Sequence, residues 1–327
     1  MPRNVFDFFK DPNLTFPTQK DLDQAHARIS AYVHRTPTLT SETADRLVNS
    51  KLFFKCENFQ KVGAFKYRGA TNKILGIGGD QRSRGVATHS SGNHGQAVAL
   101  AAKKQGIKAW VVMPENAPEV KKKAVHQYEA EVIYCQPTLE AREEAVEQII
   151  SKHGATLIHP YNDLEIVCGQ ATAAKELIED TPDLDCILCP VGGGGMLSGA
   201  SLSAKYFGSR IEVYGAEPTG ADDAYRSFHT GEIIPSVEPD TIADGLLTSL
   251  GDITFPIIHQ HVSDILTVND QETISAMAFL WERMKIVVEP SAAVPFAAVI
   301  KNRSLFENKK VGIILTGGNV DLTHLPF

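Results

Sequence analysis

Between Cys186 and Phe207 the chain reads CILCPVGGGGMLSGASLSAKYF. An apolar, strand-like run, CILCPV, passes through four consecutive glycines into MLSGASLSAKYF, which has the pattern of a helix. Strand, turn and helix is the repeating unit of parallel α/β sheets, and such sheets bind ligands at the carboxyl ends of their strands. Gly192 to Gly195 remove every side chain from the turn and permit positive φ, so successive N–H groups are able to converge on an oxyanion. A phosphate at the N-terminus of the following helix is the natural occupant. A dinucleotide fingerprint is the rival reading, with Glu217 at the end of the next strand as the ribose acid. Its G-x-G-x-x-G spacing requires glycine at 197 or 198, where the chain has Leu197 and Ser198. A phosphate without that fingerprint points to a small phosphorylated cofactor.

Outward from this unit the alternation of strands and helices continues. Strand runs precede it at LFFKCE (from Leu52), GVATHS (from Gly85), AWVVMP (from Ala109), EVIYC (from Glu131) and TLIHP (from Thr156). Others follow at EVYGAE (from Glu212), DILTV (from Asp264) and GIILTGG (from Gly312). The runs are continuous rather than alternating, as expected of strands buried on both faces. Thr18-Gln19-Lys20-Asp21 reads as a capping box, and Leu22, Ala25, Ile29 and Val33 form the apolar stripe of a first helix. A second helix is expected from about Asn93 to the C-terminal glycine Gly106. Cys186 and Cys189 have redox spacing, but positions three apart on a strand face opposite ways, so they read as core residues.

The 327 residues are 43% hydrophobic and 22% charged, which excludes disorder and allows one large or two modest domains. A net charge of −7 argues against nucleic acid or an anionic membrane as the main partner. No apolar stretch approaches the roughly 18 residues of a membrane span, and MPRNVFDFFKDP lacks the apolar core of a secretory signal. Five cysteines form no disulfide framework and no zinc-binding pattern is present. A cytoplasmic enzyme acting on a small molecule is the expected class.

Two more loops carry chemistry. Ser90-Ser91-Gly92-Asn93-His94-Gly95-Gln96 places two hydroxyls, an amide and an imidazole on a strand-to-helix turn, which suits a carboxylate ligand and equally suits a decorated N-cap. Gln60-Lys61-Val62-Gly63-Ala64-Phe65-Lys66-Tyr67-Arg68-Gly69 flanks Lys66 with an aromatic ring and glycines. Partial desolvation there lowers an amine's pKa and makes it nucleophilic, although a solvated surface lysine is the simpler reading of that loop alone.

Taken together, the loops make the chain resemble the serine/threonine dehydratase and serine racemase family of fold-type II pyridoxal-phosphate enzymes. The matching stretches are CENFQKVGAFKYRGA, THSSGNHGQAVALAAK, VGGGGMLSG, AEPTGADDAY, TIADGL and LTGGNVD, spread from about Thr36 to Asp321. The resemblance implies a tryptophan synthase β-like α/β fold with two domains, each built on a mostly parallel twisted sheet flanked by helices. Residues 1–77 and 162–327 would form the large domain, and 78–161 a small inserted βαβ domain. It implies pyridoxal 5'-phosphate held as a Schiff base by Lys66, with Phe65 beside the ring. Gly192, Gly193, Gly194 and Gly195 with the Met196 N–H would hold the phosphate, Asn93 the phenolic oxygen, and Thr316 would face the pyridine nitrogen. Ser90, Ser91, Asn93, His94 and Arg142 would bind substrate, with Ser91 as the catalytic acid/base opposite Lys66. Glu217, Ala221 and Asp223 would hold Mg²⁺ or a similar divalent ion.

The activity implied is interconversion of L- and D-serine, with β-elimination of serine to pyruvate and ammonia. A threonine/serine or 3-hydroxyaspartate ammonia-lyase is the alternative, and a nicotinamide oxidoreductase a distant one. A homodimer is implied. Thr40-Ser41-Glu42 and Lys61-Val62-Gly63 depart from the segments with which animal relatives bind ATP. Glu42 adds negative charge and Val62 removes a donor, so ATP is expected to activate weakly or not at all. Six residues follow LTGGNVD in this sequence, so the regulatory domain of biosynthetic threonine dehydratases is not expected.

Overall fold

The protein is described here by a computed structural model covering residues 15–90, 92–117 and 119–327. The N-terminal twelve-residue stretch and Ser91, both assigned meaning from sequence, lie outside the described residues. Among the described residues ten strands form two sheets. The larger has the order β1-β2-β10-β7-β8-β9. It is built from β1 (Thr38–Leu39), β2 (Lys51–Cys56), β7 (Cys186–Pro190), β8 (Glu212–Pro218), β9 (Asp264–Val268) and β10 (Lys310–Leu315). Only β1 runs antiparallel to its neighbour. The smaller sheet, all parallel, has the order β5-β4-β3-β6. It uses β3 (Val86–His89), β4 (Ala109–Pro114), β5 (Glu131–Cys135) and β6 (Thr156–Leu157). Chain segments on both sides of the smaller sheet therefore contribute to the larger one, so β10 pairs with β2 across the whole insertion.

All nine strand runs expected from sequence form strands. The two-residue β1 is additional and too short to leave a pattern. Burial on both faces holds for β4, β7 and most of β8, which lie inside their sheets. The edge strands β5 and β9 are only partly covered, because one side of an edge strand meets loops and solvent. Cys186 and Cys189 are both free and buried, and they fall in different apolar clusters on opposite faces of the large sheet. The first helix among the described residues, Gln19–Ile29, has the expected capping box, with Thr18 accepting from the Asp21 N–H and Asp21 reaching back to Thr18, and it ends before Val33. The Asn93–Gln105 helix ends at Gly106, whose φ of 64° is the left-handed cap that favours glycine.

No helix among the described residues is long and apolar enough to cross a membrane. The loops that matter leave the carboxyl ends of β2, β3, β7, β8 and β10. Two sheets with aligned carboxyl edges thus bring segments far apart in sequence to one cleft.

Candidate active site

Lys66 opens the helix Lys66–Gly76, and Phe65 before it donates its N–H to the Thr316 carbonyl at 3.0 Å. The helix is held by its inner face. Arg68, fully buried, donates through Nε and Nη2 to Glu57 at 2.7 and 2.9 Å and through Nη1 and Nη2 to Glu176 at 2.8 Å each. Lys55 Nζ adds a 2.7 Å bond to Glu176 and another to the Thr36 carbonyl. Two cations thus meet two carboxylates away from water, so the cluster is neutral as a whole. Beside it the helix crosses Leu164–Asp180 so closely that a Cβ on Gly169 would lie 2.6 Å from the Gly69 Cα. Residues two apart on a helix point in nearly opposite directions, so anchoring Arg68 inward turns Lys66 toward the cleft.

The Lys66 residue is half-buried, yet its amine end is enclosed. Desolvation lowers the pKa from 10.5 to about 8, with Glu289 pulling the other way. Nζ donates to the Pro160 carbonyl at 2.8 Å and lies 5.1 Å from the centre of the Phe65 ring. An amine at this pKa is substantially neutral just above physiological pH, as a nucleophile or proton acceptor must be.

Asn93 begins its helix, and its amide is fixed from both ends. Nδ2 donates to both oxygens of Glu289 at 2.9 and 3.1 Å, while Oδ1 accepts from Asn319 at 2.8 Å. Asn319 also donates to the carbonyl of Val62, which has a left-handed φ of 59° unusual for a β-branched residue. The first N–H groups of the Asn93 helix have no intrahelical acceptor and remain able to bind an anion. Ser90 Oγ accepts from the Gly92 N–H at 3.2 Å and closes that turn. His94 lies in the interior at 2% exposure, with Nε2 2.9 Å from the Ile158 carbonyl. A carbonyl only accepts, so Nε2 carries the hydrogen and Nδ1 is bare, without a partner among the described residues. Burial and the nearby Lys66 charge hold this imidazole well below its usual pKa and therefore neutral.

The tetraglycine joins β7 to the helix Gly195–Phe207, and Gly194 has φ 87°. Little space exists for a side chain in this turn: a Cβ on Gly193 would lie 2.2 Å from the Tyr161 ring, and one on Gly194 2.7 Å from Ile258. Thr316, at the end of β10, is buried at 3% exposure. Arg142 projects from the helix Leu139–His153, and its one side-chain hydrogen bond among the described residues runs from Nε to the Thr138 carbonyl at 3.2 Å. Burial and then the Arg142 charge keep His89 below its ordinary pKa.

Glu217 is the penultimate residue of β8, Ala221 lies in the turn Thr219–Ala221, and Asp223 opens the helix Asp223–Thr230. Glu217 accepts from the Ala224 and Tyr225 N–H groups at 3.0 and 2.8 Å. Both oxygens of Asp223 and the Ser236 hydroxyl are buried without a hydrogen-bond partner among the described residues. Burial, and then the Asp223 charge, pushes Glu217 up to about 9; burial pushes Asp223 up to about 7. Two buried carboxylates, of which Asp223 has both oxygens orphaned, fit a hard cation, although no cluster of three or more His, Cys, Asp or Glu side chains able to hold a metal occurs among the described residues.

Sequence reasoning missed Glu289, Asn319 and the connector 158–163. Ile158 accepts from His94 and Thr88, Pro160 accepts from Lys66, Tyr161 covers Gly193, and Asp163 pairs with Lys73 at 2.7 Å. The connector and Glu289 are signalled only by the proline-bearing ends HPYND and EP, where a strand or turn must stop, while Asn319 lies in the LTGGNVD stretch, which assigned it no role.

The profile for the family described as pyridoxal-phosphate dependent enzyme matches residues 29–317. The chain belongs to this family. Within it, a serine racemase of Dictyostelium discoideum is 49% identical over 312 residues, covering 94% of this chain and 96% of its own. A beta-hydroxyaspartate dehydratase of Paracoccus denitrificans is 47% identical over 311 residues, covering 95% of this chain and 99% of its own. The solved structure of maize serine racemase matches with a TM-score of 0.93 at 44% identity, over 94% of this chain and 95% of that one. This is a fold-type II enzyme of pyridoxal phosphate, with two parallel-sheet α/β domains.

Proposed function

We propose that this enzyme interconverts L- and D-serine and also eliminates water from serine to give aminoacrylate, whose imine tautomer takes up water again to yield pyruvate and ammonia. The observation that carries the reading is the Lys66 amine, brought to about 8 and held beside Phe65 in a cleft that also contains the Asn93 helix terminus and the tetraglycine. Relatives bearing the name serine racemase, nearly half identical over almost the whole length, support it.

The residues fit the family's cofactor. Gly192, Gly193, Gly194, Gly195 and the Met196 N–H would hold its phosphate, since the turn is bare of side chains and opens a helix. Lys66 would hold its aldehyde carbon and Phe65 one ring face. Asn93 would orient its phenolic oxygen, and Thr316 would face the ring nitrogen. Pyridoxal phosphate, when bound, supplies an electron sink for the charge left at the substrate's α-carbon. The chain's own work is then to place the substrate and move protons. The Ser90–His94 turn would bind the substrate carboxylate through its N–H groups, with the neutral His94 side chain packed behind it and Arg142 closing the mouth. Lys66 Nζ would take or return the α-proton on one face, and Ser91 on the other.

Glu217, Ala221 and Asp223 would hold Mg²⁺ or a like ion, supported by the orphaned Asp223 oxygens. We further propose residues 78–161 as the inserted domain, a homodimer, and a cytoplasmic location. Borohydride discharge of a visible absorbance band, lost in Lys66→Ala, tests the cofactor attachment. A 3-hydroxyaspartate ammonia-lyase is the second reading. It is favoured by the Paracoccus relative and by the Arg142 guanidinium, whose Nη atoms have no hydrogen bond among the described residues and could meet a second carboxylate.

A further inference from the structure

The turn 159–162 touches both ends of the cleft at once. Its Pro160 carbonyl accepts from Lys66 Nζ at 2.8 Å. The next residue, Tyr161, lays its ring on the tetraglycine: a Cβ on Gly193 would lie 2.2, 2.3 and 2.4 Å from three of its ring carbons, and one on Gly195 3.0 Å from its Cβ. The turn is itself braced. His159 Nδ1 accepts the N–H groups of Tyr161 and Asn162 at 3.2 and 2.8 Å, and Asn162 Oδ1 accepts from the Ile253 N–H at 2.8 Å. The His159 and Tyr161 rings meet edge to face at 4.7 Å.

We infer that Tyr161 is a positioning residue for the phosphate-binding loop: its ring is the wall against which Gly193 and Gly195 pack, and it gauges the separation between that loop and the Lys66 amine. This rests on the reading of the tetraglycine as a phosphate site. Gly193 is then required by Tyr161, because any side chain there must displace a ring fixed by its own backbone. A loop moved by even a fraction of an ångström presents its N–H groups badly to a ligand tethered at its other end.

The test uses purified protein freed of cofactor, titrated with pyridoxal phosphate and separately with pyridoxal, which lacks the phosphate. Binding is followed by intrinsic fluorescence, so no turnover is needed. Wild type should bind pyridoxal phosphate far more tightly; equal affinities would overturn the phosphate-site reading and this inference with it. Tyr161→Ala should weaken pyridoxal phosphate by about tenfold or more while leaving pyridoxal nearly unchanged. Equal weakening of both, or of neither, overturns the role of Tyr161 while leaving the phosphate site standing. Gly193→Ala should cost about tenfold in wild type but less than about threefold in the Tyr161→Ala background. The same cost in both backgrounds means that Gly193 is required by the phosphate itself and refutes the inference. If Gly193→Ala alone yields no folded protein, folded double variant supports the clash, and an unfolded double variant overturns it.

Discussion

Removing divalent cations should make this protein's stability fall as pH rises, and the buried pair Glu217 and Asp223 sets the size of the effect. In an unfolded chain these carboxyls lose their protons near pH 4; in the fold they hold them to about 9 and about 7. Between those limits the folded state binds more protons than the unfolded state, so stability declines with pH by about 1.4 kcal/mol per unit for each retained proton. One retained proton between pH 5 and 7.5 corresponds to a loss of about 3 kcal/mol. A bound divalent cation replaces the protons and removes that decline. At roughly 2 °C per kcal/mol for a chain of this size, the melting temperatures with Mg²⁺ and with chelator should diverge by some 5 °C or more from pH 5 to pH 7.5. Calorimetry across that range, with and without chelator, reads the difference directly. Glu217→Gln with Asp223→Asn removes both titrations and should abolish the divergence. Parallel pH profiles for the metal-loaded and metal-free wild type would refute the argument, since buried carboxylates without a cation cannot stay ionised at no cost.

Lys66→Ala should lose the visible band and all turnover, whereas a variant that keeps both would remove Lys66 from the chemistry. In wild-type protein stripped of cofactor, the rate of cofactor uptake should climb as pH passes about 8, where the Lys66 amine becomes neutral; a flat rate from pH 7 to 9 contradicts this. Arg68→Met leaves Glu57 buried without its cation and Glu176 paired with Lys55 alone, and should cost about 3–5 kcal/mol in urea unfolding; a loss under about 1 kcal/mol would show that Arg68 is not needed by the cluster. Ser91→Ala should lose racemisation yet keep measurable L-serine elimination through Lys66, and near wild-type racemisation would exclude Ser91 as the second base. ATP should activate weakly or not at all. Strong saturable activation would show that Glu42 and Val62 are compatible with nucleotide.

The larger part of the fold was legible because a buried parallel strand is written locally, as in AWVVMP and CILCPV. β1 was not, since two residues paired to an edge carry no periodicity. TLIHP promised five residues of strand and gives only Thr156–Leu157, because the chain turns away before Pro160, which lacks an N–H to donate. In the cleft, the glycine loop and the Lys66 loop announced themselves by composition. Glu289, Asn319 and Pro160 did not: they reach Asn93 and Lys66 across 196, 226 and 94 residues of sequence. Such contacts follow from how the two sheets meet, and a buried glutamate followed by proline looks like any other helix start. The Arg68 cluster was hidden for a different reason, since KYRGA reads as surface charge until Glu57 and Glu176 are seen facing it.

The central claim, racemisation with accompanying elimination, is tested most directly by incubating the cofactor-loaded enzyme with L-serine and following D-serine and pyruvate in the same samples. The account predicts that both accumulate from the earliest times and that D-serine offered alone yields L-serine. Pyruvate without D-serine would contradict racemisation and leave a dehydratase. Neither product, from an enzyme that shows its visible band and consumes 3-hydroxyaspartate, would contradict serine as the substrate.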